Sequence, residues 1–140
     1  MALLVASGGA ALAQDRAPVE RMPLDAVLRK LDGQRFDVRG IEYRAPWWVV
    51  VLRTPRGSTM TAGFDGRTGE MREDFPVERL PGTIPSDILS AAQVLSALEA
   101  AGIGDVQAIR YGGGRFEAEA AGGEVITVDP RSGAIAPRRQ

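Results

Sequence analysis

The chain contains no cysteine and no histidine. Without thiols it forms no disulfide and offers no thiolate as nucleophile or metal ligand. Without imidazole it has no Ser-His or Cys-His machinery, no neutral-pH acid–base group of that kind, and no zinc site that needs His or Cys. Lysine is almost missing: Lys30 is the only one, and the other sixteen basic residues are Arg. There is no excess of either sign, with 17 basic against 18 acidic residues. That balance speaks against nucleic acid as a partner, because such binders carry a clear basic surplus. No apolar run reaches the roughly 20 residues of a membrane-spanning helix. What remains is an ordinary soluble composition, 44% hydrophobic and 25% charged over 140 residues, enough for one domain or two very small ones.

Residues 1–13 read MALLVASGGAALA, uncharged and ending in Ala11-Leu12-Ala13. An apolar segment closed by small residues in an A-x-A pattern predicts a secretory signal peptide cut before Gln14. The basic stretch that usually precedes such a segment is missing. No Cys follows the cut, so a lipoprotein anchor is excluded, and no membrane insertion is expected after cleavage. Residues 14–22 read as a flexible lead-in.

Leu24, Val27, Leu28 and Leu31 then stand at i, i+3, i+4 and i+7, the apolar face of a helix that Gly33 closes. Beyond it the period changes to two. Phe36, Val38, Ile41 and Tyr43 predict a strand with a bulge near Gly40. The run Trp47-Trp48-Val49-Val50-Val51-Leu52 predicts a central strand. A third strand is expected over residues 59–64 and a short one near 70–72. Residues 76–86 hold Pro76, Pro81, Gly82 and Pro85 and read as a semi-rigid linker. A second amphipathic helix runs from Ile88 through Ala101, with Ser86 or Asp87 as its cap. Strands follow near 105–111, 115–120 and 124–128, separated by glycine-rich hairpin signals.

One turn is written twice. Phe64-Asp65-Gly66-Arg67-Thr68-Gly69 returns as Val128-Asp129-Pro130-Arg131-Ser132-Gly133. An Asp at a strand end can accept bonds from N–H groups two and three residues on, and the Gly supplies the positive φ that closes a hairpin. Asp65, Gly69, Asp129 and Gly133 are therefore read as turn residues. A calcium loop would need about six oxygen ligands, which one Asp beside an Arg does not supply. The duplication extends beyond the turn. Val27, Leu28 and Leu31 recur 67 residues later, Val38, Ile41 and Tyr43 recur 68 later, and Asp65 and Gly69 recur 64 later. The offset changes only within expected loops, where insertions are tolerated. The expected fold is α+β, two repeats (residues 23–75 and 87–137), each one α-helix packed on an antiparallel β-meander of three to four strands. Units of about 50 residues sit near the lower limit for an independent core, so their sheets or helices are expected to pack together.

A helix followed by an antiparallel meander ending in apolar-Asp-x-x-[Thr/Ser]-Gly resembles the PepSY domain. The residues that carry the resemblance are Val27-Leu28-x-x-Leu31 with the turn through Glu70-Met71, and Val94-Leu95-x-x-Leu98 with the turn through Ala134-Ile135. It covers nearly all of the chain beyond residue 13. The second copy has Ala134 where the family pattern has Glu, and the last strand of the first copy is unusually long. The resemblance implies an exported bacterial protein that inhibits or regulates a protease, and it brings no catalytic residues. Similar tandem helix-and-sheet modules occur in a β-lactamase inhibitor protein, an analogy of fold alone.

The expected function is thus a non-catalytic periplasmic or secreted module that acts on a peptidase or a membrane sensor through protein–protein contacts, with no cofactor and no metal. Trp47 and Trp48 are the candidate partner-binding residues. Adjacent strand residues face opposite sides, so one packs under the helix and the other lies on the open face. There it either anchors a partner or packs against the other repeat. One alternative is a small-ligand or metal-binding protein using acidic loops such as Glu73-Asp74 with Glu78. Another is a carboxylate enzyme drawing on Glu42, Glu117 and Glu119 with Tyr43 or Tyr111. Arg131, Arg138 and Arg139 form a basic cluster that reads as solvated.

Overall fold

The computed structural model describes residues 21–137. The signal-like stretch, most of the lead-in, and Arg138 and Arg139 lie outside the described residues. The elements follow in the order α1 (Leu24–Gly33), β1 (Val38–Arg44), β2 (Trp47–Arg53), β3 (Ser58–Asp65), β4 (Glu78–Thr83), α2 (Ala91–Ala100), β5 (Val106–Gly112), β6 (Arg115–Ala120), β7 (Val125–Val128) and β8 (Ile135–Pro137). Among the described residues the architecture is α+β, with two helices and one eight-stranded antiparallel sheet in the order β4-β3-β2-β1-β5-β6-β7-β8.

Helix α1 forms where the sequence predicts it, with Leu24, Val27, Leu28 and Leu31 buried. It runs through Gly33, and the left-handed residue that ends it is Arg35, at φ 68°. Helix α2 begins later than expected. Its cap is Ser90, not Ser86 or Asp87: the Ser90 hydroxyl accepts from the Gln93 N–H while the Gln93 side chain accepts from the Ser90 N–H. This reciprocal capping box satisfies two otherwise orphaned donors and fixes the first turn. Ile88 and Leu89 belong to the approach to the helix.

The expected linker is partly a strand. Residues 78–80 pair with β3, and Thr83 pairs with Ser58. Pro81 and Gly82 fall in the register shift between those pairs, so the missing N–H of Pro81 is not asked to join the ladder. A proline is acceptable on an edge strand for this reason. At the other edge β8 pairs with β7. After β3, by contrast, the short strand expected near 70–72 is reduced to a single bridge between Phe64 and Met71.

There are not two sheets. β1 and β5 pair antiparallel in the middle, Ile41 opposite Ile109 and Glu42 opposite Ala108. Both helices pack against these two strands and against each other. One face of the sheet is therefore covered, and the core lies between it and the helices. Trp48, Phe64, Phe116, Leu28, Leu98 and Ile109 are among its fully buried members. A bulge at Arg39 and another at Gln107, seen as register shifts in β1 and β5, return the apolar residues on either side of each to that face.

The last residues of the expected lead-in are held by the fold. The Met22 N–H donates to Gly66 O at 2.8 Å, and Met22 O accepts from the Trp48 indole at 3.1 Å. Arg21 stacks over the Tyr43 ring at 4.2 Å and donates to Gln107. No helix among the described residues is long and apolar enough to cross a membrane.

Candidate partner-binding face

The alternation of β2 decides what each face of the sheet offers. Trp48, Val50 and Leu52 point to the helices. Trp47, Val49 and Val51 point to the opposite face, which neither helix covers. On that face Gly40, Val49, Val51, Thr59, Thr61 and Leu80 line a groove of about 510 Å³.

Beside the groove a row of charges crosses from β1 over β5 to β6. Arg44 donates to Glu42 at 2.6 Å, Arg110 donates to Glu42 at 2.6 Å, and Arg110 donates to Glu119 at 3.1 Å. Partial burial by itself would raise the Glu42 carboxyl. The hydrogen bonds from Arg110 and Arg44 outweigh it and hold Glu42 below its ordinary range. The Arg110 guanidinium is pushed up in turn, chiefly by its bond to Glu42. Glu117 faces Arg115 at 3.9 Å. Tyr43 and Tyr111 lie on the other side of the sheet, edge-on to Trp48 and Phe116 and packed against the core. The structure thus joins Glu42 and Glu119 through an arginine, but does not bring the tyrosines to the carboxylates.

Of the two tryptophans, Trp48 is 1% exposed and presents no surface to a partner. Trp47 is half-buried on the helix-free face. Its ring contacts come from the segment after β3. Phe75 meets it edge to face at 5.7 Å, and the Arg72 guanidinium stands 5.1 Å over its ring. Arg72 also pairs with Asp65 and Asp74, each at 3.1 Å. Among the described residues no group of three or more acidic side chains is placed to hold a metal ion. Glu73, Asp74 and Glu78 form no such group.

The two Asp turns have the same hydrogen bonds. The Asp65 carboxylate accepts from the N–H groups of Arg67 at 2.8 Å and Thr68 at 3.1 Å. Asp129 accepts from Arg131 at 2.9 Å and Ser132 at 2.8 Å. Gly69 and Gly133 close the turns at φ 75° and 78°. The hydroxyls of Thr68 and Ser132 accept from the N–H two residues on. These bonds to the charged form hold both carboxyls below the ordinary range, with the Arg67 N–H contributing most at Asp65 and the Ser132 N–H at Asp129. In each Asp one oxygen, Oδ1, takes both turn N–H groups, and Oδ2 of Asp65 accepts from Arg72. Arg131 reaches back to Asp87 at 3.0 Å.

Of four residues that shape these surfaces, Arg39, Arg72 and Phe75 carry no obvious sequence signal. Only Gly63 has one, as a glycine inside a strand pattern, which marks close approach of another group. Compared with protein-family models, with curated proteins and with solved structures, the chain matches none of them.

Proposed function

We propose that the chain is an exported, non-catalytic module of two PepSY-like repeats that binds a protein partner, a peptidase or a membrane sensor, through the helix-free face of its sheet. The observation that carries this reading is that face itself. It sets an apolar groove beside a row of paired charges, and neither of the two described helices covers it. The duplication is supported by contacts as well as residues. The Tyr43–Trp48 ring pair at 5.3 Å has a counterpart 68 residues on in Tyr111–Phe116 at 5.1 Å. The bond from Met22 N–H to Gly66 O has one in Leu89 N–H to Pro130 O, both at 2.8 Å. Ile41 and Ile109, at equivalent places, face one another across the central pair of strands. That is the arrangement a two-fold relation between the halves would produce.

The test is site-specific photocrosslinking in the exporting cell. A photoreactive residue at Val51 or Thr61, on the helix-free face, is expected to yield a discrete protein adduct. The same residue at Arg29 or Ser96, on the helices, is expected to yield none. Adducts of equal strength from both faces, or from neither, would refute the reading. Export itself predicts an extracytoplasmic chain beginning at Gln14, which mass spectrometry of the purified protein checks.

A further inference from the structure

The helix-free face is not bare throughout. Beyond β3 the chain doubles back, the Arg72 N–H donates to Gly63 O at 3.0 Å, and the Phe75 side chain packs against Gly63. A Cβ on Gly63 would stand 2.3 Å from the Phe75 ring, so the ring occupies the space that any other residue would fill. Trp47 forms an edge-on wall to this seat, at an interplanar angle of 71°, and Arg72 stands over Trp47. In the second half the place 64 residues on is taken by Thr127, which has a side chain of its own. The seat is therefore not a requirement of the fold. The strap that fills it is lightly held. Glu73, Asp74, Pro76 and Val77 are exposed, Val77 by 54%. It is anchored at its ends by the bond from Asp65 N–H to Glu70 O and by the β4 ladder that begins at Glu78, and between them its ties to β3 are the Arg72–Gly63 bond, the Phe64–Met71 bridge and the Arg72–Asp65 ion pair.

We propose that Phe75 is a displaceable plug, and that the seat made by Gly63 and Trp47 takes an aromatic side chain from the partner when the strap that carries Arg72 and Phe75 lifts. The present occupant defines the chemistry: a floor with no Cβ beside an indole ring, a combination that favours an aromatic ring over an aliphatic chain. The inference rests on the partner-binding reading and narrows it to one kind of anchor. It also makes the strap autoinhibitory, since a seat filled by its own chain weakens an incoming ligand by the fraction of time it is closed.

The test uses the full chain with Trp48→Phe, the residue that stands at the equivalent place as Phe116, so that Trp47 is the only tryptophan and is excited selectively over the tyrosines. The probe is N-acetyl-phenylalaninamide, with N-acetyl-alaninamide as control. Adding Phe75→Ala is expected to red-shift Trp47 and increase its acrylamide quenching several-fold. The phenylalanine probe should then bind saturably and at least about tenfold more tightly than when Phe75 is present, and the alanine probe should not. In the unsubstituted chain, hydrogen exchange of the Arg72 amide is expected to be much faster than that of the core strands. Equal response to both probes, no binding of the phenylalanine probe to the vacated seat, or Arg72 exchange only with global unfolding would each overturn the proposal. If the plug fails these tests while Val51 and Thr61 still crosslink, the partner reading stands without it. Loss of those crosslinks with a responsive seat sinks the partner reading instead.

Discussion

Replacing Arg39 by Met is expected to weaken the fold by about 2–4 kcal/mol. Arg39 is only 7% exposed, yet it is charged. Its guanidinium donates to Ile88 O at 2.8 Å, to Leu89 O at 2.9 Å and to the Asp37 carboxylate at 2.6 Å. It therefore fastens the approach to α2 onto β1, between halves of the chain 49 residues apart. Methionine keeps much of the aliphatic stem and removes every donor. The Ile88 carbonyl then remains in a buried neighbourhood with its partner gone, at about 1–3 kcal/mol. Leu89 O and Asp37 lie nearer to water and recover part of their loss, adding roughly 1 kcal/mol together. Arg44→Met is the control. Arg44 is 70% exposed in its ion pair with Glu42, and such pairs contribute only about 0–1 kcal/mol. Urea melts of the three proteins would read the difference as a shift of midpoint at constant slope. Arg39→Met within about 0.5 kcal/mol of the parent would refute the assignment of Arg39 as the tie between the halves.

Acid should weaken the fold through the two turns. The folded carboxyls of Asp65 and Asp129 lie below their unfolded values, so their contribution is complete above the ordinary carboxylate range, near pH 4, and is lost as pH falls through the folded values. Asp65→Asn with Asp129→Asn is expected to flatten that acid limb in melts taken across pH, and an unchanged limb would contradict it. Arg35→Gly should stabilise by about 1 kcal/mol, because Arg35 occupies the left-handed region at φ 68° where the second helix has Gly102, and glycine enters it without steric cost. A lower melting midpoint would show that the Arg35 side chain contributes more than its backbone costs. Gly63→Ala should destabilise by about 1–3 kcal/mol through its clash with Phe75. In a double-mutant cycle Phe75→Ala should relieve most of that loss, whereas additive losses would place the clash elsewhere.

The parts of this fold that can be read from the chain are those set by neighbours in sequence. Leu24, Val27, Leu28 and Leu31 define a helical face on their own spacing, and β2 follows from six apolar residues in a row. The Asp turns are legible because the bonds that close them on themselves span five residues or fewer. Ser90 and Gln93 also carry a local signal, the capping-box spacing, but the apolar Ile88 and Leu89 extend the apparent helix pattern past the true start. Other features depend on distant partners. Glu78–Thr83 has little strand character of its own and becomes β4 because β3 offers an unpaired edge. The joining of the two halves into one sheet rests on Ile41 meeting Ile109, which no window of sequence contains.

The same distinction governs the two tryptophans. Strand alternation requires that Trp47 and Trp48 face opposite ways, but it cannot say what covers either one. Trp48 is covered by a core assembled from both helices, so its burial is a property of the whole fold. Trp47 is covered by the Phe75 ring and the Arg72 guanidinium, and that ring has its place only because Gly63 lacks a side chain. A large core excludes a partner permanently, since opening it costs the stability of the domain. A single ring over a glycine can be exchanged for another ring at the cost of a few local contacts. The surface residue worth substituting is therefore Trp47, and the residue that decides whether it can be reached is Phe75.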